Sequence, residues 1–181
     1  DYLFCYRIIY PYADYVTVNI SSPNTEKLRE LQTEEMLERM VAAMQNAQSK
    51  LVTQHGRYVP IAIKIAPDLH EQEIANMAKV FNRYHIDAVI ATNTTIDKSA
   101  VSTLPYGQEP GGLSGIPLHA KSTEVIRCLR LHLDDSIPII GVGGVTDSQT
   151  AQEKLAAGAT LLQLYTAMVY LGPEVLAKIL S

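Results

Sequence analysis

Five times along this chain a short run of β-branched and aliphatic residues gives way to a stretch whose apolar residues recur at helical spacing, and nothing else in the sequence constrains the fold as tightly. The strand-like runs are Tyr15–Val18, Val59–Ala66, Asp87–Asn93, Ile137–Val142 and Leu161–Tyr165. Val59–Ala66 (VPIAIKIA) is nearly all apolar, which is how a strand covered on both faces reads. Between the runs, Thr33 is placed to cap a helix reaching about Gln54, with Met36, Leu37, Met40, Val41 and Met44 as its buried stripe. Methionines in such a stripe are read as gap-filling core rather than as a ligand surface. A second helix is expected from Asp68, with Glu71 as capping partner and Ile74, Met77, Ala78 and Phe81 inward. Leu118–Leu133 is a third, Asp147 opens a short one ending at Gly158, and Pro173 is placed at the first position of a terminal helix.

Alternation of this kind builds a parallel sheet with helical crossovers, either an open doubly wound sheet or part of a (β/α)8 barrel. Barrel geometry is preferred because every strand, not only those at one switch point, runs out into polar or glycine residues. The expected fold is therefore α/β, a (β/α)8 TIM barrel of which this chain supplies about the last five β/α units. Five strands cannot close eight, so further units are expected before Asp1 or from another chain. The opening segment, Asp1 to Tyr10, has helical spacing without a start signal and fits that expectation. A length of 181 residues suits a single domain, 1–181.

Chemistry is expected at the strand exits. Asn19-Ile20-Ser21-Ser22-Pro23-Asn24-Thr25 follows the first strand and sets two carboxamides around hydroxyls, although an Asx or Ser turn would use the same residues. Thr92-Asn93-Thr94-Thr95 ends the third strand. Lys64 interrupts the most apolar strand; an ammonium there is costly unless an anion meets it, and no acidic residue in the strands offers a partner. An anionic cofactor or substrate is the expected partner. Gly143-Gly144 after the fourth strand, Gly115 before it, and Tyr165-Thr166 after the fifth suggest backbone N–H groups holding a phosphate, since barrels place that site after their last two strands. The stretch from about Ile96 to Pro117, with Gly111-Gly112-Leu113-Ser114-Gly115 near its end, lacks periodicity, and structureless loops of that length are usually functional.

Other classes are excluded by what surrounds these features. A formal net charge of −4 with no basic run argues against nucleic acid. Cys5 and Cys128 have no CxxC or ligand spacing and read as free thiols of a reducing compartment. His55, His70, His85, His119 and His132 fall on helices, helix ends or linkers without HExxH spacing, so no metal centre is expected. No apolar run has membrane-spanning length, and no signal-peptide pattern opens the chain.

NISSPNT, IKIAPD, ATNTT, GGLSG, PIIGVGG and LLQLY occur in the order and spacing of class 2 dihydroorotate dehydrogenase, the quinone-dependent type, and the chain resembles the C-terminal part of that family's barrel. The resemblance implies flavin-dependent oxidation of dihydroorotate to orotate in pyrimidine biosynthesis, with FMN bound and electrons passed to a membrane quinone. By the same resemblance Ser22 is the catalytic base, a position where class 1 relatives carry Cys, and Thr25 is a candidate proton relay. Asn19, Asn24, Asn93 and Thr94 resemble the orotate-binding set, with Asn19 also near the flavin. Lys64 and Thr92 resemble flavin-contacting residues, and Gly115, Gly144, Tyr165 and Thr166 those that hold its phosphate side. It further implies peripheral contact with the cytoplasmic face of the inner membrane, in a bacterium, through an N-terminal segment outside this chain. Two other readings stay open: another FMN- or phosphate-binding barrel oxidoreductase acting on a dihydropyrimidine, and a barrel fragment that is not catalytic alone.

Overall fold

A computed structural model of the chain describes residues 1–25 and 28–180. Its centre is a parallel sheet of five strands: β1 (Val16–Asn19), β2 (Ile61–Ile65), β3 (Ala88–Ala91), β4 (Ile139–Val142) and β5 (Leu161–Gln163). Their spatial order is their chain order, and each pairs in parallel with the next. A doubly wound sheet reverses direction at a switch point, whereas a barrel adds strands always on the same side. The sheet is thus a partial (β/α)8 barrel. Helices α1 (Tyr2–Ile9), α2 (Glu34–His55), α3 (Glu71–Tyr84), α4 (His119–His132), α5 (Ser148–Ala156), α6 (Thr166–Leu171) and α7 (Glu174–Leu180) flank it.

Strand alternation divides the apolar residues into two layers. Val18, Ile61, Ile63, Ile65, Val89 and Ile139 face the helices and bury against Leu37, Val41, Met44, Met77, Phe81, Ile126 and Leu129. Each such fully buried side chain contributes about 2 kcal/mol by removal from water, so this outer layer holds the sheet to its helices. The opposite face is thinner: Ala62, Ala88 and Ile90, with Ile140 and Val142 packed beside them. Beyond that small layer, at the C-terminal ends of the strands, the inner face turns polar.

Several boundaries differ from the sequence reading, each for a local reason. Helix α3 starts after His70, not at Asp68; Glu73 accepts the His70 backbone N–H at 2.7 Å. Asp68 is unavailable as a cap because its carboxylate is committed to four donors elsewhere. Thr33 precedes α2 but makes no capping bond, its hydroxyl donating back to the Glu30 carbonyl at 2.9 Å. Asp87 stands before β3 and accepts from the Ile61 N–H at 2.7 Å, fastening the entry of β2. Pro173 lies one residue ahead of α7, and α6 falls where the sequence reading places no element. The segment from Ile96 to Pro117 contains a 3-10 turn (Ser99–Val101) and is tied down by a bridge between Thr95 and Leu113. No helix among the described residues is long and apolar enough to cross a membrane.

Candidate active site

Lys64 sits next to last on β2, directly opposite Asn19, the last residue of β1. Both project to the inner face, above the Ala62, Ala88 and Ile90 layer. The ammonium is half-buried, and Nζ has no hydrogen-bond or ion-pair partner among the described residues. Burial pushes its pKa below the usual lysine value. A charge held there without an internal anion is a binding feature waiting for one.

Around it the exits of β1 and β3 are knit by carboxamides. Asn19 Oδ1 accepts from Ser21 N at 3.2 Å, from Ser21 Oγ at 3.0 Å and from Asn93 Nδ2 at 3.1 Å. Asn93 Nδ2 also reaches Ser21 Oγ at 3.1 Å, while its Oδ1 accepts the Thr94 N–H at 2.8 Å. The Asn19 oxygen is saturated, and its Nδ2 donors keep no partner among the described residues. Thr92 is buried beside this network, its hydroxyl donating to the Asn93 carbonyl at 2.9 Å. Ser22 is half-buried and accepts the Asn24 N–H at 3.3 Å, which leaves its own proton free. Asn24 and Thr25 are exposed.

A cavity of about 1060 Å³ opens above the inner face. Lys64, Thr92, Asn93, Thr94, Gly115, Gly144, Tyr165 and Thr166 line it, so eight of the residues singled out in the sequence meet in one space. Asn19, Ser22 and Asn24 are not in its lining; Asn19 joins it through Asn93, and the Pro23–Asn24 corner packs on Gly112 and Gly111. A Cβ on Gly112 would approach Pro23 Cγ to 2.9 Å, so glycine there lets the long loop lie against the Ser22 loop.

The far wall is a turn of glycines. Gly144 has φ +68, and a Cβ there would stand 2.6 Å from His119 Cβ and 2.8 Å from the Gly115 carbonyl oxygen. The N–H groups of Gly115, Gly143, Gly144 and Tyr165 donate to no acceptor among the described residues. Thr166 Oγ1 donates to Ser114 Oγ at 2.8 Å, fixing the opposite lip. Amides without an internal acceptor, beside hydroxyls that line the same cavity, can hold an oxyanion.

Sequence reasoning missed the group that fastens these loops. Asp68 accepts from Arg29 Nη1 and from the Ile96 N–H, each at 3.0 Å, from Lys121 Nζ at 3.1 Å, and from the Thr95 hydroxyl. Arg29 in turn donates to the Ser21 carbonyl at 3.3 Å and the Thr94 carbonyl at 3.2 Å. Burial works to raise the Asp68 pKa, but its Thr95, Ile96, Lys121 and Arg29 donors outweigh that and hold it below the usual carboxylate value. Arg29 and Lys121 lie in stretches without motif character, so linear spacing offered no signal. Ser21, rather than its neighbour, proves to be the serine buried in the carboxamide network. Glu71, Cys128 and His132 bring one ligand-type atom each within 4.8 Å on the α3–α4 flank, a grouping their spacing did not suggest, and two of the three are exposed.

The whole chain, residues 1–181, matches the family model described as dihydroorotate dehydrogenase. Dihydroorotate dehydrogenase (quinone) of Nitrosomonas eutropha is 54% identical over 181 residues, covering 100% of this chain and 53% of the relative. The enzyme of the same name from Thiobacillus denitrificans is 56% identical over 173 residues, 96% of this chain and 51% of the relative. Among solved structures, DHODH from Eimeria tenella in complex with ferulenol superimposes with a TM-score of 0.91 at 32% identity, over 99% of this chain and 51% of that one. The chain spans about half the length of the curated relatives it matches.

Proposed function

The chain belongs to the dihydroorotate dehydrogenase family, and on that premise we propose that it forms part of an FMN-dependent enzyme that oxidises (S)-dihydroorotate to orotate in pyrimidine biosynthesis and passes the electrons to a quinone. One observation carries the reading: the Lys64 ammonium, without a partner among the described residues, opens into the same cavity as Asn93, Thr94 and the glycine turn.

The residues present suit FMN. Its phosphate finds free amides at Gly115 and Gly144 with Tyr165 and Thr166 beside them, and Lys64, Thr92 and Asn19 are left for the ring. A volume near 1060 Å³ exceeds what a drug-sized ligand needs, room enough for cofactor and substrate together. Bound FMN supplies the two-electron acceptor for the hydride that leaves C6 of the substrate.

The chain's own side chains do the rest. Asn19 offers its Nδ2 donors, exposed Asn24 a donor and an acceptor, Asn93 the second lone pair of its Oδ1, and Thr94 a hydroxyl, which suits a planar ring edged with carbonyl and N–H groups. Ser22 Oγ removes the C5 proton. A serine hydroxyl is a weak base, so the proton must move on as it arrives. Ser22 already accepts from the Asn24 N–H, which orients the hydroxyl, and exposed Thr25 is the proposed relay to solvent. We place peripheral contact with the cytoplasmic face of the inner membrane outside the described residues, none of whose helices could span a bilayer.

Anaerobic addition of dihydroorotate to the intact, flavin-loaded protein tests this directly. Loss of the oxidised flavin band is expected. A band that persists with dihydroorotate but bleaches with another dihydropyrimidine would hand the site to a related oxidoreductase instead.

A further inference from the structure

Lys154 is the most deeply buried charged side chain described, with no exposed surface at all. It lies on α5, and no carboxylate among the described residues pairs with it: Nζ donates to Ser122 Oγ and, at 3.0 Å, to Thr123 Oγ1, both on α4. Burial pushes its pKa down to about 8, partly opposed by the neighbouring Glu153 carboxylate, so the group still carries its proton at neutral pH. A protein gains nothing in stability from an unpaired buried ammonium, and an apolar side chain of the same length would serve the core better.

The partners of Lys154 point to what it does. Ser122 is itself fully buried, and its Oγ lies 3.4 Å from two carbonyls, those of Gly143 and His119. A serine hydroxyl has one proton to give. Because Lys154 occupies a lone pair of Ser122, that proton is directed at the carbonyls, one of which belongs to the glycine turn. The turn has no slack on that side: a Cβ on Gly143 would stand 2.8 Å from Ser122 Oγ, and one on Gly144 would meet His119. Lys154 and Ser122 therefore connect a buried positive charge, which does not line the cavity, to the carbonyl of a turn that does line it and whose amides have no acceptor among the described residues.

We propose that Lys154 is a positioning residue for the phosphate of the cofactor, holding the Gly143–Gly144 turn through Ser122 and lending it positive charge from behind. This rests on the reading of that turn as the FMN phosphate site. The role is specific to the phosphate end, because Lys154 touches neither the ring-facing residues nor the carboxamide network.

Riboflavin has the ring without the phosphate, and it isolates the effect. Intact apoprotein, titrated calorimetrically with FMN and with riboflavin, should prefer FMN. Lys154→Met should lower that preference by about tenfold, the scale of losing one charge interaction in a partly buried setting, with riboflavin affinity and thermal midpoint unchanged or raised. Ser122→Ala should shift the preference the same way and decides the matter if Lys154→Met does not fold. Wild-type protein that prefers FMN, with variants that keep the wild-type ratio, overturns the positioning role alone. Wild-type protein showing no preference overturns the phosphate-site reading, and the role falls with it.

Discussion

Asn93 Nδ2 lies 3.1 Å from Asn19 Oδ1, so the carboxamides that end β3 and β1 meet across β2, the strand that carries Lys64. Three adjacent strands thereby deliver an amide, an ammonium and a second amide to one rim. The serine loop hangs from this network through Ser21, which accepts from Asn93 and donates to Asn19.

Ser22→Ala in the intact protein should slow flavin reduction by dihydroorotate roughly 10²- to 10⁴-fold, the contribution of a positioned general base, while FMN stays bound. Stopped-flow absorbance gives the rate. A variant that reduces at the wild-type rate removes Ser22 from the chemistry.

Lys64→Ala should act on the ligand and not on the fold. Its ammonium meets no anion among the described residues, so its loss should leave the thermal midpoint of the apoprotein unchanged or higher. Flavin content should fall, or the potential of any flavin retained should move, by an amount equivalent to about tenfold or more in binding. Absorbance ratios and a redox titration read both, and full flavin content at an unaltered potential counts against the assignment.

Asp68 predicts an acid limit. Its folded-state pKa lies below the unfolded value of about 3.9, so it contributes stability that is present above that pH and lost as pH falls through the folded value. Asp68→Asn keeps the shape but leaves Arg29 without a counter-charge among the described residues and Lys121 with Asp97 alone, and should cost about 2–3 kcal/mol at pH 7. Unfolding curves collected from pH 3 to 7 should show the wild-type advantage shrinking below about pH 4. An advantage that is constant across that range refutes the assignment of the limit to Asp68.

Residues 1–181 expressed alone should retain FMN weakly or not at all. Among the described residues β1 and β5 each pair on one side only, and strands with an open edge invite association with other chains. Stoichiometric flavin in a monodisperse sample would overturn this expectation.

Much of the architecture was legible because strands covered on both faces leave unbroken apolar runs and helices leave a stripe, as in Val59–Ala66 and in Ile74, Met77 and Phe81. Lys64 stood out for the opposite reason, as the one charge inside such a run. What escaped detection was set by tertiary contact. Asp68 looks like a helix cap until four donors from distant segments are seen to claim it. Lys154 sits where an amphipathic helix would ordinarily show a solvated lysine, and only the packing of α5 on α4 reveals that it is sealed in. Helix α6 is short, with Val169 and Tyr170 exposed, and leaves no buried stripe for periodicity to reveal.

Strand β2 sends Ile61, Ile63 and Ile65 toward the helices and Lys64 the other way. Sliding the chain by a single residue would drive that ammonium among the side chains of α2 and α3, several kcal/mol uphill. Whether or not a ligand has arrived, one awkwardly placed cation thus proofreads how the strands align as the barrel assembles.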